Sequence, residues 1–383
     1  MSKRFLEITQ PAKVHFGPGC IGFIHEAVIA EELKEVYVVV VPELMDTLDP
    51  VFEKLRNAGI RVILDDTIAG EPTIKMLEKS AQFASETKVD GVIGIGGGSV
   101  MDIAKGVAAT LGNQQTLNDI FGIGNLSGRK PSLLLAPTTS GTGSEVSPNA
   151  IFYDESAGLK KAIISPYIVA DTVFVDPELT LSAPPGLTAA SGMDALTHCI
   201  EAYTNINAHP LVDGYARQGI RLISRNLERA VNYGDDLEAR IHVAMGSLFG
   251  GMCLGPVNTA GVHALAYPLE GMFKIPHGLA NSMLLPLVME FNLESSLERY
   301  AGVAIDFGIE PGSEIKPMAK QAIKAVEKLS RSCGIPRSLP ELNENSDSIS
   351  LLAGKAMTVT RLLKNNPREI TYEAASKIYE KLC

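Results

Sequence analysis

The chain has 383 residues, a length that accommodates two domains of about 100–200 residues each. Hydrophobic residues make up 45 % and charged residues 20 %, the composition of a folded chain and not of a disordered one. The net charge of −10 argues against broad binding to nucleic acid or to an anionic membrane, and no apolar run is long enough to span a bilayer. Five scattered cysteines (Cys20, Cys199, Cys253, Cys333, Cys383) form no CxxC pair, which speaks against a disulfide framework or a thiolate zinc site. The opening MSKRFLEITQPAKVHFG has no apolar signal core. The expectation is a soluble, cytoplasmic protein.

In chain order, the first half alternates short apolar runs with amphipathic stretches. Val36–Val41 is rich in β-branched residues, stops at Pro42 and reads as a buried strand. A helix over Val51–Ala58 ends at Gly59, a strand covers Arg61–Leu64, and a helix covers Ile74–Thr87 with Pro72 near its start. Gly91–Ile95 reads as the next strand and Met101–Leu111 as the helix after it. Leu133–Ala136, Ile151–Tyr153 and Val173–Val175 are further strand candidates. This rhythm predicts a mostly parallel sheet covered by helices. From Leu187 onward strand signals fade and helical segments follow one another: Ala189–Thr204, Leu211–Val231, Leu237–Cys253, Leu279–Asn292, Glu314–Ser332 and Ser350–Thr358. The predicted fold class is an α/β Rossmann-like domain over residues 1–183 and an all-helical domain over residues 184–383.

Two loops in the first half have the chemistry of a dinucleotide site. Gly91–Asp102 reads GVIGIGGGSVMD, a strand running through glycines into a helix start. Such a turn lets a phosphate approach backbone N–H groups at the positive end of a helix. The GxGxxG string is not met, because Ser99 stands where its last glycine would be. A tight turn with no ligand fits the segment equally well, and Asp102 could simply complement the helix dipole. Pro137–Val146 reads PTTSGTGSEV, with hydroxyls clustered around Gly141 and Gly143 after a strand. The carboxyl end of a parallel strand is where α/β sheets bind ligands, and hydroxyls suit a pyrophosphate or a ribose. A polar surface turn is the plainer alternative.

The second half holds a candidate metal site. Asp194 and His198 are spaced i, i+4 and share a helical face, so both could reach one divalent ion. The same spacing also occurs as a simple surface hydrogen bond. His263 sits among apolar residues and His277 follows Pro276. A buried imidazole needs a partner, and either a metal or a backbone carbonyl would serve. His15, His25, His209 and His242 lack comparable surroundings and are left as structural or exposed.

Four separated segments together resemble the iron-dependent (group III) alcohol dehydrogenase family. They are GGGSVMDIAKGVA at Gly96–Ala108, PTTSGTGSEVSPNA at Pro137–Ala150, SGMDALTHCIEAY at Ser191–Tyr203 and HALAYPLEGMFKIPHGLANSMLLP at His263–Pro286. The resemblance covers essentially the whole chain. It implies that Asp194, His198, His263 and His277 are metal ligands. It implies cofactor contacts by Gly97, Gly98, Ser99 and Asp102 at the pyrophosphate, by Thr138, Thr139, Thr142 and Ser144 near nicotinamide and ribose, and by Lys160. It further implies an NAD(P)-linked alcohol dehydrogenase or aldehyde reductase, with the reaction in an interdomain cleft and Fe(2+), or Zn(2+) or another divalent ion, as the metal. A homodimer is also a family expectation. A divalent ion held by three neutral imidazoles and one carboxylate would carry a net charge of about +1 and act as a Lewis acid on the substrate oxygen, while hydride moves to or from nicotinamide C4.

Two departures from the family pattern bear on mechanism. Tyr267 stands where the family often has a histidine, and Tyr267 with His277 are the candidate catalytic groups. A phenol can hydrogen-bond an alkoxide, but its reference pKa of about 10 makes it a poor base at neutral pH. Val41 stands where NAD-preferring members carry Asp after the second strand. NAD(H) is slightly favoured over NADP(H), because Glu43 is near enough to reach a ribose. Alternative readings are a hydroxyacid–oxoacid transhydrogenase or another polyol or oxoacid reductase on the same scaffold. A non-catalytic nucleotide- or metal-binding protein is a further one, supported only by Tyr267.

Overall fold

A computed structural model describes residues 5–340, 342 and 347–383. The chain divides between Leu181 and Ser182 into two compact units, and Leu6 belongs with the second. The residue-based division expected a break at about 184 and placed Leu6 in the first domain.

The first unit is built on a six-stranded sheet. Its strands are β1 (Lys13–Phe16), β2 (Glu35–Val40), β3 (Arg61–Asp65), β4 (Gly91–Gly96), β6 (Ser132–Pro137) and β9 (Thr172–Val175). Their order is β1-β9-β6-β4-β2-β3 and every pairing is parallel. β2 reads EVYVVV and is buried on both faces, as a parallel strand covered by helices must be. The covering helices are α1 (Ile24–Ala30), α2 (Met45–Asn57), α3 (Ile74–Ser85) and α4 (Gly98–Thr110), with a single turn α5 (Leu117–Ile120) beyond them. Local chemistry sets their ends. Gly59 adopts φ +80 just after α2. The Thr73 hydroxyl accepts from the Met76 N–H at 3.2 Å and caps α3.

A second, three-stranded sheet was not expected in full. β5 (Gly122–Ile123) pairs parallel with β8 (Leu159–Ile164), which pairs antiparallel with β7 (Asn149–Asp154). The lysines of β8 hid it from sequence reading. They pair along its two faces, Lys160 with Glu71 at 2.9 Å and Lys161 with Asp154 at 2.8 Å.

The second unit is helical. α6 (Pro185–Thr204), α7 (Pro210–Asn232), α8 (Leu237–Leu254), α9 (Gly261–Phe273), α10 (His277–Asn292), α11 (Leu297–Asp306) and α12 (Ile315–Ser332) are followed by α13 (Ser348–Met357), α14 (Thr360–Leu363) and α15 (Tyr372–Glu380). α6 lies at the centre, packed by α7, α8 and α10, and its second half is buried all round. Leu6 packs against this helical core. Among the described residues no helix is long and apolar enough to cross a membrane.

Two histidines set aside at the sequence level have structural duties. His209 Nδ1 accepts from the Leu211 N–H at 3.3 Å at the start of α7, and His15 stacks on Phe174 at 4.6 Å.

Candidate metal centre and dinucleotide loops

The metal-site candidates come from three helices of the second unit. α6 carries Asp194, His198 and Glu201 at i, i+4 and i+7, so all three lie along one face. α9 repeats that spacing with His263, Tyr267 and Glu270. α10 opens on His277, with Asn281 one turn later. Gly278 allows α10 to approach α6: a Cβ there would lie 2.6 Å from the Ala190 carbonyl oxygen.

The donor atoms converge. His263 Nε2 lies 3.0 Å from His198 Nε2 and 3.6 Å from Asp194 Oδ1. His198 Nε2 and His277 Nε2 lie 4.0 and 3.8 Å from the same oxygen. Donors sharing one ion at about 2.0–2.2 Å stand no more than about 4.4 Å apart, and all four of these separations satisfy that limit. Asp194, His198 and His263 are buried, whereas the His277 side chain keeps 32 % exposure and marks the solvent side. The Tyr267 ring lies on that side, 6.3 Å from the His277 ring.

Electrostatics prepare these groups as ligands. Burial pulls the His198 imidazole down to about 4, so it is neutral and carries a lone pair at pH 7. Burial opposes ionisation of Asp194, but the imidazoles of His198, His277 and His263 and the Asn281 amide outweigh it and hold its pKa below the ordinary carboxylate value. Two carboxyl groups that residue spacing alone did not single out fix the other imidazoles. Glu201 Oε2 lies 2.5 Å from His263 Nδ1, and Glu270 Oε1 lies 2.8 Å from His277 Nδ1. A carboxylate at Nδ1 places the proton there and turns the Nε2 lone pair toward the shared point. Glu201 Oε1 also accepts from the Val262 N–H at 2.6 Å, tying α9 to α6. The Asn281 amide donates to Asp194 Oδ1 at 2.7 Å. Imidazole nitrogens and a carboxylate oxygen facing one another at these distances suit a divalent cation, so the residues fit a metal.

The dinucleotide candidates lie in the first unit. β2 and β4 flank the point where strand order reverses, and register pairs Val40 with Ile95 and Gly96 with Pro137. The loops after β2, β4 and β6 therefore leave the sheet at one end, side by side. α4 begins at Gly98 with Gly97 as an uncapped N-cap residue. Gly98 is pressed against the hydroxyl loop, since a Cβ there would stand 2.7 Å from Thr142 Cγ2 and 3.2 Å from Thr142 Cβ.

Burial separates these residues into two groups. Gly97, Gly98, Ser99, Thr139 and Thr142 are half-exposed at the rim, and Val41 is half-buried beside the exposed Glu43. Thr138, Ser144 and Asp102 are buried beneath it. Asp102 differs from expectation. Its Oδ1 accepts from the Ser144 hydroxyl at 2.6 Å and its Oδ2 from the Ile151 N–H at 2.8 Å, so the carboxylate supports the loops from inside. Lys160 stands on β8 in the Glu71 ion pair.

A Gly98→Ala variant is expected to raise the KM for dinucleotide about tenfold or more while leaving metal content unchanged, because its methyl would push Thr142 out of place. Steady-state kinetics beside metal analysis would check it, and an unchanged KM would remove the glycine loop from the cofactor site.

A parallel sheet with open loops at one end, and a helical unit bearing an Asp–His₃ cluster, together define a metal-dependent dehydrogenase. Residues 11–177 match the family described as "Iron-containing alcohol dehydrogenase" and residues 188–383 its C-terminal counterpart, so the chain belongs to the iron-containing alcohol dehydrogenase family. It is 37 % identical over 382 residues to the long-chain-alcohol dehydrogenase 1 of Geobacillus thermodenitrificans, covering 97 % of this chain and 95 % of that one. It is 32 % identical over 331 residues to the NAD-dependent methanol dehydrogenase of Bacillus methanolicus, covering 86 % and 87 %. A crystal structure of 1,3-propanediol oxidoreductase superposes with a TM-score of 0.95 at 32 % identity, covering 99 % of this chain and all of that one. The expectation drawn from the four segments therefore holds for family, fold and reaction class.

Proposed function

We propose that this chain interconverts small primary alcohols and their aldehydes, using an iron ion in the helical unit and NAD(H) on the loops of the α/β unit. The observation that carries the reading is the convergence of Asp194, His198, His263 and His277, with Glu201 and Glu270 behind two of the imidazoles. When bound, a divalent ion supplies Lewis acidity toward the substrate oxygen and the nicotinamide supplies or takes the hydride.

The chain's own residues do the rest. Gly97, Gly98 and Ser99 offer backbone N–H groups at the uncapped start of α4 to a pyrophosphate. Thr139 and Thr142 offer hydroxyls beside them, while Thr138, Ser144 and Asp102 hold the loop from beneath. Lys160 and Val41 complete the proposed cofactor set. Val41 brings no carboxylate to repel a 2′-phosphate, yet no Arg or Lys stands there to bind one, and Glu43 is the nearest acidic residue for a ribose hydroxyl. The NAD-dependent relative supports that choice. On the solvent side of the metal ligands, Tyr267 orients the substrate through its hydroxyl, a hydrogen-bond donor at neutral pH. β1 is an exposed edge strand, which gives a second copy of the chain an edge to pair with in a homodimer.

The test is to deplete the protein of metal and restore Fe(II) or Zn(II), then follow NADH and NADPH absorbance with a panel of small aldehydes. NADH consumption that depends on restored metal is the expected result. No consumption of either dinucleotide under any condition would overturn the reading.

A further inference from the structure

Beneath the two loops lies a lysine that the proposed chemistry does not use. Lys105, on the second turn of α4, is wholly buried. Its ammonium donates to Ser144 Oγ at 3.0 Å, to the Ser147 carbonyl at 2.9 Å and to the Asn149 carbonyl at 2.8 Å. An ammonium has three protons, and these acceptors take all three. Asp102, one turn earlier, grips the same segment through Ser144 and the Ile151 N–H. The Glu145 carboxyl is buried close by, within the charge field of Lys105.

These bonds hold the far end of the hydroxyl loop. Its near end leaves β6 at Thr138, whose N–H donates to the Gly96 carbonyl at 3.0 Å. Its far end, Ser144, is fastened to α4 by Lys105 and Asp102. The Thr142 side chain bears on Gly98 in between. Where Thr139 and Thr142 stand relative to the open amide end of α4 is therefore set from below, by groups out of reach of solvent.

We propose that Lys105 is a positioning residue for the dinucleotide: its enclosed ammonium holds the hydroxyl loop against the glycine loop so that both present their polar groups to one ligand. The proposal rests on the reading that these loops bind the dinucleotide. An apolar side chain of similar length removes these ties and leaves Ser144, two carbonyls and the buried carboxyl groups of Asp102 and Glu145 without their neighbouring ammonium.

The test uses the full-length, metal-loaded protein. NADH binding is read by fluorescence titration, and KM is measured separately for dinucleotide and alcohol. Lys105→Met is expected to weaken NADH binding and raise the dinucleotide KM about tenfold or more, with the alcohol KM within about twofold of wild type and metal content unchanged. A general loss of structure would move both KM values and the metal content together. Lys105→Gln keeps a donor without the charge and should show the same pattern at smaller size; it takes the place of the methionine variant if that one does not fold. A folded Lys105→Met or Lys105→Gln with NADH affinity within twofold of wild type would overturn the proposal, as would an alcohol KM that rises in step with the dinucleotide KM. Wild-type protein that binds neither NADH nor NADPH would overturn the loop reading itself, and the proposal with it.

Discussion

Replacing His263 by alanine is expected to strip the protein of metal and to lower turnover by about a thousandfold or more. His263 stands at the middle of the cluster, 3.0 Å from His198 Nε2 and 3.6 Å from Asp194 Oδ1. Without it, His198 loses its facing nitrogen and Glu201 loses one of its two donors. Both remaining groups are buried, so water cannot readily take the missing place. Stability should report the same change independently of activity. An ion present at a hundredfold over its dissociation constant stabilises the folded state by about 2.7 kcal/mol, so a chelator should lower the wild-type melting temperature and leave that of His263→Ala unmoved. Metal analysis, kcat and melting with and without chelator check all three points. A variant that turned over at the wild-type rate with no metal bound would remove this cluster from the mechanism.

Glu201→Gln tests the layer behind the ligands and should cost about 10–100-fold in metal affinity. The carboxylate accepts from both the Val262 N–H and His263 Nδ1, at 2.6 and 2.5 Å. An amide of the same shape keeps one acceptor oxygen and turns an NH₂ group toward the other donor. His263 then loses the contact that fixes its tautomer, and α9 loses a tie to α6. Turnover should return when the metal concentration is raised, which separates this variant from His263→Ala. Glu270→Gln should act in the same direction with a smaller effect, because His277 is the most exposed member of the candidate ligand set. Competition with a chromophoric chelator measures both. Wild-type affinity in Glu201→Gln would make this glutamate a fold element and not part of the metal centre. The two glutamates also amend the local charge count: four ligands alone leave a bound ion with a net charge of about +1, and two further carboxyl groups hydrogen-bonded to the imidazoles make those ligands better donors to it.

Much of the architecture was legible because its causes are local. The β-branched run of β2, Gly59 after α2 and Pro72 near the start of α3 act on neighbours within a few residues, so the sequence alone places those elements. α9 was not singled out, although it carries His263, because Pro268 lies inside it and breaks the helical pattern. β8 was missed because Lys160 and Lys161 suggest a solvated turn, and only distant Glu71 and nearby Asp154 reveal their pairing.

The site divides in the same way. Glycine, hydroxyl, aspartate and histidine positions could be named from the chain because each belongs to a short run with a recognisable pattern. Glu201 and Glu270 carry a signal in hindsight, since each lies i+7 from a candidate ligand on its own helix. Spacing of that kind is compatible with any buried helical face, so it becomes informative only when the partner imidazoles are seen. Asp102 and Lys105 show the converse. The family resemblance implied a cofactor contact for Asp102, and tertiary packing turns both side chains inward onto Ser144. Residue pattern along the chain was enough for the family and the order of elements, and through the family resemblance for the four candidate metal ligands, because such patterns are short-range. Only the tertiary structure decided which polar groups face a ligand and which face each other, because that depends on contacts made across 42 residues between Asp102 and Ser144 and across 62 between Glu201 and His263.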